Sequence, residues 1–243
     1  MPKAVVIEFI FNTPLKDWNI VTNNSHGNTV KSTFLNFAGS EWECDVRLAN
    51  YGTIYALYDY VARLNETPYD LAICSWIVDD YYLTNLQKIV TDYGIPLFMP
   101  ASSSVNLSEK QDRPIVFVGA NDESINYRLD TWDIATNLSS PNSGYTSYTT
   151  AVVAGKSTLL LDAGFTSLEV VASVREQSLN YPTWDNLIGY GKAPELFDSS
   201  IVPTPAPEPE PIPEPIPEPP YIPNSTLKLS PFFLWTYYYL TQA

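Results

Sequence analysis

The sequence carries one histidine, His26, and two cysteines, Cys44 and Cys74, in 243 residues. A single imidazole excludes a multi-histidine metal site and leaves any imidazole chemistry to His26. Two cysteines without ligand spacing exclude a disulfide framework and a cysteine-ligated metal. Basic residues are scarce: 13 Lys and Arg stand against 27 Asp and Glu, a net charge of −14, with pI near 4.3. Phosphate backbones and anionic membrane surfaces repel such a chain, so nucleic acid is not an expected partner. No apolar run approaches the ~20 residues of a membrane span. Met1-Pro2-Lys3 and the short apolar stretch 4–7 lack the long apolar segment and small-residue cleavage site of a signal peptide. The expected location is therefore cytoplasmic, or within a larger assembly such as a virion. What the chain does have is 45% hydrophobic residues, enough to bury the core of one full-sized domain.

Proline is distributed unevenly. Eleven of the 21 prolines fall in residues 203–223, PTPAPEPEPIPEPIPEPPYIP. Proline removes backbone donors and drives its predecessor out of the helical region, so this run is expected to be extended polyproline II. At ~3.1 Å per residue it reaches roughly 65 Å as a solvated, semi-rigid spacer. Beyond it, residues 224–243 contain Pro231-Phe232-Phe233-Leu234-Trp235-Thr236-Tyr237-Tyr238-Tyr239-Leu240. That segment is too apolar to stay in water and too short to span a bilayer, which predicts docking onto a protein partner. Three parts follow: a domain over 1–200, a Pro/Glu spacer over 201–223 and an aromatic docking segment over 224–243.

Within 1–200, apolar runs predict strands at 4–10, 71–76, 95–99 and 115–118. Helical spacing marks 27–37 (Val30, Phe34, Phe37), 51–64 (Ile54, Leu57, Tyr58, Val61), 85–93, 147–163 and 167–177. Strands separated by helices predict an α/β fold, a parallel sheet with helices on both faces.

Candidate chemistry lies in Gly144-Tyr145-Thr146-Ser147-Tyr148-Thr149-Thr150-Ala151-Val152-Val153-Ala154-Gly155. Its end, continued as Lys156-Ser157, imitates a phosphate-binding loop. The first glycine of that motif is replaced by Thr150, and no buried strand precedes it, so nucleotide binding is not expected. Thr146-Ser147, Thr150 and Val153-Ala154-Gly155 instead resemble the subtilase motif G-T-S-M-A-T-P-x-V-A-G. Ser25-His26-Gly27-Asn28-Thr29-Val30 resembles that family's S-H-G-T-H-V, and Val5-Val6-Ile7-Glu8 its V-I-D strand. Weaker matches fall in order between and after them: 71–75, 115–122, Pro182-Thr183-Trp184 and Gly189-Tyr190-Gly191-Lys192. The order acid, histidine, serine is that of subtilisin.

The resemblance implies a subtilisin-like fold and peptide-bond hydrolysis. Ser147 is the implied nucleophile, His26 its base and Glu8 the orienting acid. Ser103, counted from Gly94, takes the oxyanion-hole position, with Asn106 the nearest amide downstream. No cofactor is required, and no calcium site is evident. The expected substrate is a peptide or protein. The pattern also departs from the family. Glu8 replaces Asp, a shift of about 1 Å that costs on the order of a hundredfold unless the strand compensates. Ser103 replaces Asn, where loss of the donor costs ~10²–10³. Tyr145 replaces Gly, Ala151 and Val152 replace the Pro-x pair, Ser75-Trp76-Ile77 stands at the substrate-pairing edge, and no chaperone propeptide is seen. These departures leave a second reading open: an inactive subtilase-fold assembly protein, for example of a phage particle, anchored through residues 224–243.

Overall fold

A computed structural model of the chain describes residues 1–10, 24–50, 69–74, 80–101, 114–120, 131–133, 146–183 and 189–203. The elements are β1 (Lys3–Ile10), α1 (Ser25–Phe37), β2 (Glu43–Asn50), β3 (Leu71–Cys74), α2 (Asp80–Thr91) and β4 (Leu97–Pro100). They continue with β5 (Val116–Ala120), β6 (Thr131–Asp133), α3 (Thr146–Lys156), α4 (Thr158–Asp162) and α5 (Ser167–Glu176). The helix expected over 51–64, the proline-rich spacer from 204 onward and the aromatic segment 224–243 lie outside the described residues.

The strands form one six-stranded sheet in the order β2-β1-β3-β4-β5-β6, with every neighbouring pair parallel. Residues Ala4 to Ile7 of β1 are at most 2% exposed although their side chains alternate between faces. A strand covered on both sides reads as an unbroken apolar run, which is why β1 is visible in the sequence. The β1–α1–β2 unit steps to one side of β1, while β3–α2–β4 steps to the other. Right-handed crossovers then put α1 and α2 on opposite faces. Val30 and Phe34 of α1 join Ala4, Val6, Val46, Ile73 and Val118 in the core on α1's face.

Two strands are present that the apolar-run reading does not find, β2 and the three-residue β6. β2 is the outer strand next to β1, and it alternates: Cys44 and Val46 are buried, whereas Asp45 and Arg47 are partly exposed. Its polar face is tied down locally. Arg47 Nε donates to the Tyr69 hydroxyl, Tyr69 donates to Asp45 Oδ2 at 2.8 Å, and Lys3 Nζ lies 3.0 Å from the same oxygen. Burial alone would raise the Asp45 carboxyl, but the hydrogen bonds from Tyr69 and Lys3 outweigh it and hold it below the usual carboxylate range.

The helix expected over 147–163 is two helices, α3 and α4, meeting at Ser157. There the backbone tightens, with Leu160 N donating to Ser157 O at 3.1 Å, an i→i+3 bond. Ser157 Oγ bonds back to Val153 O and Thr158 Oγ1 to Gly155 O, each at 2.8 Å, a competition that bends helices. α3 is buried all round from Thr149 to Lys156, the mark of a central helix rather than an amphipathic surface one.

α3 crosses α1 at Gly155. A Cβ built there would lie 2.7 Å from the Phe34 carbonyl oxygen and 2.8 Å from Phe37 Cβ. That oxygen belongs to the α1 backbone and cannot yield without moving the helix. Alanine gains ~1 kcal/mol of helix propensity, but overpacking against backbone costs more. Gly155→Ala is therefore expected to lower unfolding free energy by about 1–2 kcal/mol in denaturant titration. An unchanged or raised midpoint would show that the two helices are not in contact there.

Candidate active site

In a parallel sheet all carboxyl ends of the strands share one edge, which is where open α/β folds place their sites. Glu8 lies in the carboxyl-terminal half of β1. The chain returns to this edge at Asn24, whose extended backbone and side chain cap α1: Asn24 Oδ1 accepts from Gly27 N at 2.7 Å. An Asn at this position is a sequence-readable start signal. It fixes His26 in the first turn, where Nδ1 meets Glu8 Oε1 at 2.8 Å.

Glu8 is 2% exposed and the His26 side chain 40%. A carboxylate accepts hydrogen bonds and donates none, so the shared proton sits on Nδ1, and in the neutral ring Nε2 is then the acceptor. The acid thus sets the tautomer and anchors the ring from the buried side. The imidazole itself reaches toward solvent.

The longer acid reaches His26 despite replacing Asp, and the packing shows how it is accommodated. A Cβ on Gly27 would fall 2.9 Å from Glu8 Cγ and 2.6 Å from Val46 Cγ1. The bare backbone of Gly27 leaves room for the additional methylene of Glu8, between β1, β2 and the first turn of α1. The longer side chain thereby reaches Nδ1.

Ser147 is half-buried in the first turn of α3. Its neighbour Tyr148 places its ring centroid 5.6 Å from that of His26, tilted by 39°. The turn is stiffened by Thr149 and Thr150, whose hydroxyls both donate to Thr146 O, at 2.9 and 2.7 Å. The structure thus brings Glu8 and His26 into direct contact and puts Ser147 next to a residue packed on His26. Tyr148 is a site residue to which the motif reading gave no role, because its contact depends on how α1 and α3 cross.

Other expectations divide plainly. Ser103 and Asn106 lie outside the described residues, as do Ser75, Trp76, Ile77, Tyr145 and Trp184. Ala101, the last described residue before Ser103, stands at the carboxyl end of β4 and bonds to Val118 O at 2.8 Å. Lys156 ends α3 rather than opening a helix, is buried, and donates from Nζ to Pro194 O at 3.1 Å. A phosphate-loop lysine needs the opposite placement. Both cysteines are buried and neither is in a disulfide, and burial pushes the Cys44 thiol up to about 12, far from a nucleophilic thiolate. Among the described residues no group of three or more His, Cys, Asp or Glu is arranged to hold a metal. Among them, too, no helix is long and apolar enough to cross a membrane.

No family model and no curated protein matches the chain. Solved structures do. MycP1 from Mycobacterium smegmatis is similar at TM-score 0.52 and 11% identity, over 85% of this chain and 83% of its own. The serine protease MycP1, described as an essential component of the type VII (ESX-1) secretion system, gives 0.53 and 9%, over 79% and 81%. The periplasmic assembly from the ESX-5 inner membrane complex gives 0.53 and 12%, over 90% and 85%. Identities this low speak to architecture alone. The chain has a subtilisin-like α/β fold.

The fit at Gly27 makes the acid's length testable. Glu8→Asp retracts the carboxylate by about 1 Å while α1 stays fixed on β2, so the hydrogen bond to Nδ1 opens. His26 is the only histidine, which makes its Nδ1–H proton resonance unambiguous in NMR spectra. The downfield Nδ1–H signal is expected in the unaltered chain and absent in Glu8→Asp. Its persistence in the variant would mean that the site does not depend on glutamate.

Proposed function

We propose that the chain is a serine endopeptidase that hydrolyses peptide bonds through an acyl-enzyme intermediate on Ser147. The observation that supports this most is the buried Glu8 carboxylate 2.8 Å from His26 Nδ1, beside the helix turn that carries Ser147. A serine hydroxyl needs a base to become a nucleophile at neutral pH, and His26 is the only imidazole in the chain.

In this reading His26 Nε2 takes the Ser147 hydroxyl proton as Oγ attacks the scissile carbonyl. The imidazolium so formed is stabilised by Glu8, which keeps its own charge. His26 then hands the proton to the leaving amine as the peptide bond breaks. Water, deprotonated by the same nitrogen, releases the acyl group. The oxyanion is assigned to the Ser147 backbone amide, at the positive end of α3, together with Ser103. The substrate is a peptide or protein, and no step calls for a cofactor.

A fluorophosphonate probe read by intact mass tests the proposal. One adduct is expected on the folded wild-type chain and none on Ser147→Ala. His26→Ala is expected to slow labelling by about 10³-fold or more, since nucleophile and base act as a unit. Absence of an adduct on the folded wild type, or labelling that survives Ser147→Ala, would refute it.

A further inference from the structure

We propose that Tyr148 is a positioning residue that holds the His26 ring on its bond to Glu8, and so couples the base to the turn carrying Ser147. The inference rests on the roles proposed for His26 and Ser147 and adds a specific residue to them.

The imidazole is anchored on its buried side by the bond from Nδ1 to Glu8. The torsion that swings a histidine ring about Cβ–Cγ is broad and two-fold, and a ring that is 40% exposed lacks core packing on part of its surface. One hydrogen bond fixes a point on the ring but leaves its plane free to rock. A second contact is needed to fix the plane, and Tyr148 supplies one. A centroid separation of 5.6 Å with a 39° tilt lies within the range of attractive aromatic pairs, ~4.5–7 Å.

The contact is also built on rigid elements. α1 and α3 are seated on each other where Gly155 meets the Phe34 carbonyl, and the Thr149 and Thr150 hydroxyls brace the first turn of α3 through the Thr146 carbonyl. Tyr148 and Ser147 are adjacent, with Cα atoms about 3.8 Å apart. A movement of that turn therefore carries the serine and the packing ring together, so the position of the nucleophile and the plane of the base are linked through one helix. The contact that the proposal rests on is between the rings, so phenylalanine should keep it.

The test compares Tyr148→Leu, Tyr148→Phe and Tyr148→Met in the full chain, each checked for folding by its thermal transition. Two quantities are read: the fluorophosphonate labelling rate of Ser147, and the solvent exchange rate of the His26 Nδ1–H proton. Tyr148→Leu and Tyr148→Met are expected to label about tenfold more slowly or worse and to exchange Nδ1–H faster. Tyr148→Phe should stay within about twofold of wild type in both. Leu or Met variants that match wild type in both readouts overturn the proposal. So does a Phe variant as impaired as Leu, which would assign the role to the hydroxyl. Should Ser147 never label, the catalytic reading fails by itself, while Nδ1–H exchange still decides whether Tyr148 holds the ring. If Tyr148→Leu does not fold, the Phe and Met pair carries the same comparison.

Discussion

The hydrogen bond between the Glu8 carboxylate and His26 Nδ1 is the constraint around which the described site is arranged. Glu8 is 2% exposed, and a carboxylate removed from water has to be met by donors. Low local dielectric strengthens each bond made there. Meeting that demand fixes where α1 begins: Asn24 caps it, His26 occupies its first turn, and Gly27 carries no side chain because Glu8 and Val46 already fill the space. A strand residue thus dictates the local sequence of a helix that follows it.

The same constraint explains how the sheet and the central helix cooperate. β1 sits between β2 and β3, pairing with β3 up to Ile7 and with β2 through Glu8 and beyond, so the strand is held on both sides just before the acid. α3 is buried throughout most of its length and presses on α1 at Gly155, bringing its first turn to the imidazole. Glu8, His26 and Ser147 therefore come from a strand and two helix starts. Rigid elements of this kind hold side-chain geometry better than loops do.

Much of this was legible in the sequence, for physical reasons that also mark the limit. β1 announces itself because a strand buried on both faces needs an unbroken apolar run. α1 does so because Val30 and Phe34 repeat at helical spacing. The Glu8, His26 and Ser147 set was read from the order of three short motifs, and Glu8 and His26 are in hydrogen-bond contact. β2 escaped because its outer position spaces Cys44 and Val46 with Asp45 and Arg47, a period-two pattern with no apolar run. The break at Ser157 escaped because side-chain back-bonding, not composition, tightens the turn. Tyr148 escaped because a ring contact between helices is a product of their crossing. The close packing of the Glu8 side chain against Gly27 also escaped, since only the fold brings the two together.

The most direct test is the tautomer of His26, read from its two ring nitrogens in the 15N spectrum of the labelled chain at neutral pH. With one histidine in 243 residues, the assignment needs no variants. A protonated Nδ1 is the predicted result, since an accepting carboxylate is met only by an N–H on that nitrogen. A protonated Nε2 with a bare Nδ1, or two nitrogens averaged by rapid exchange, would contradict a Glu8–His26 bond and the site built on it.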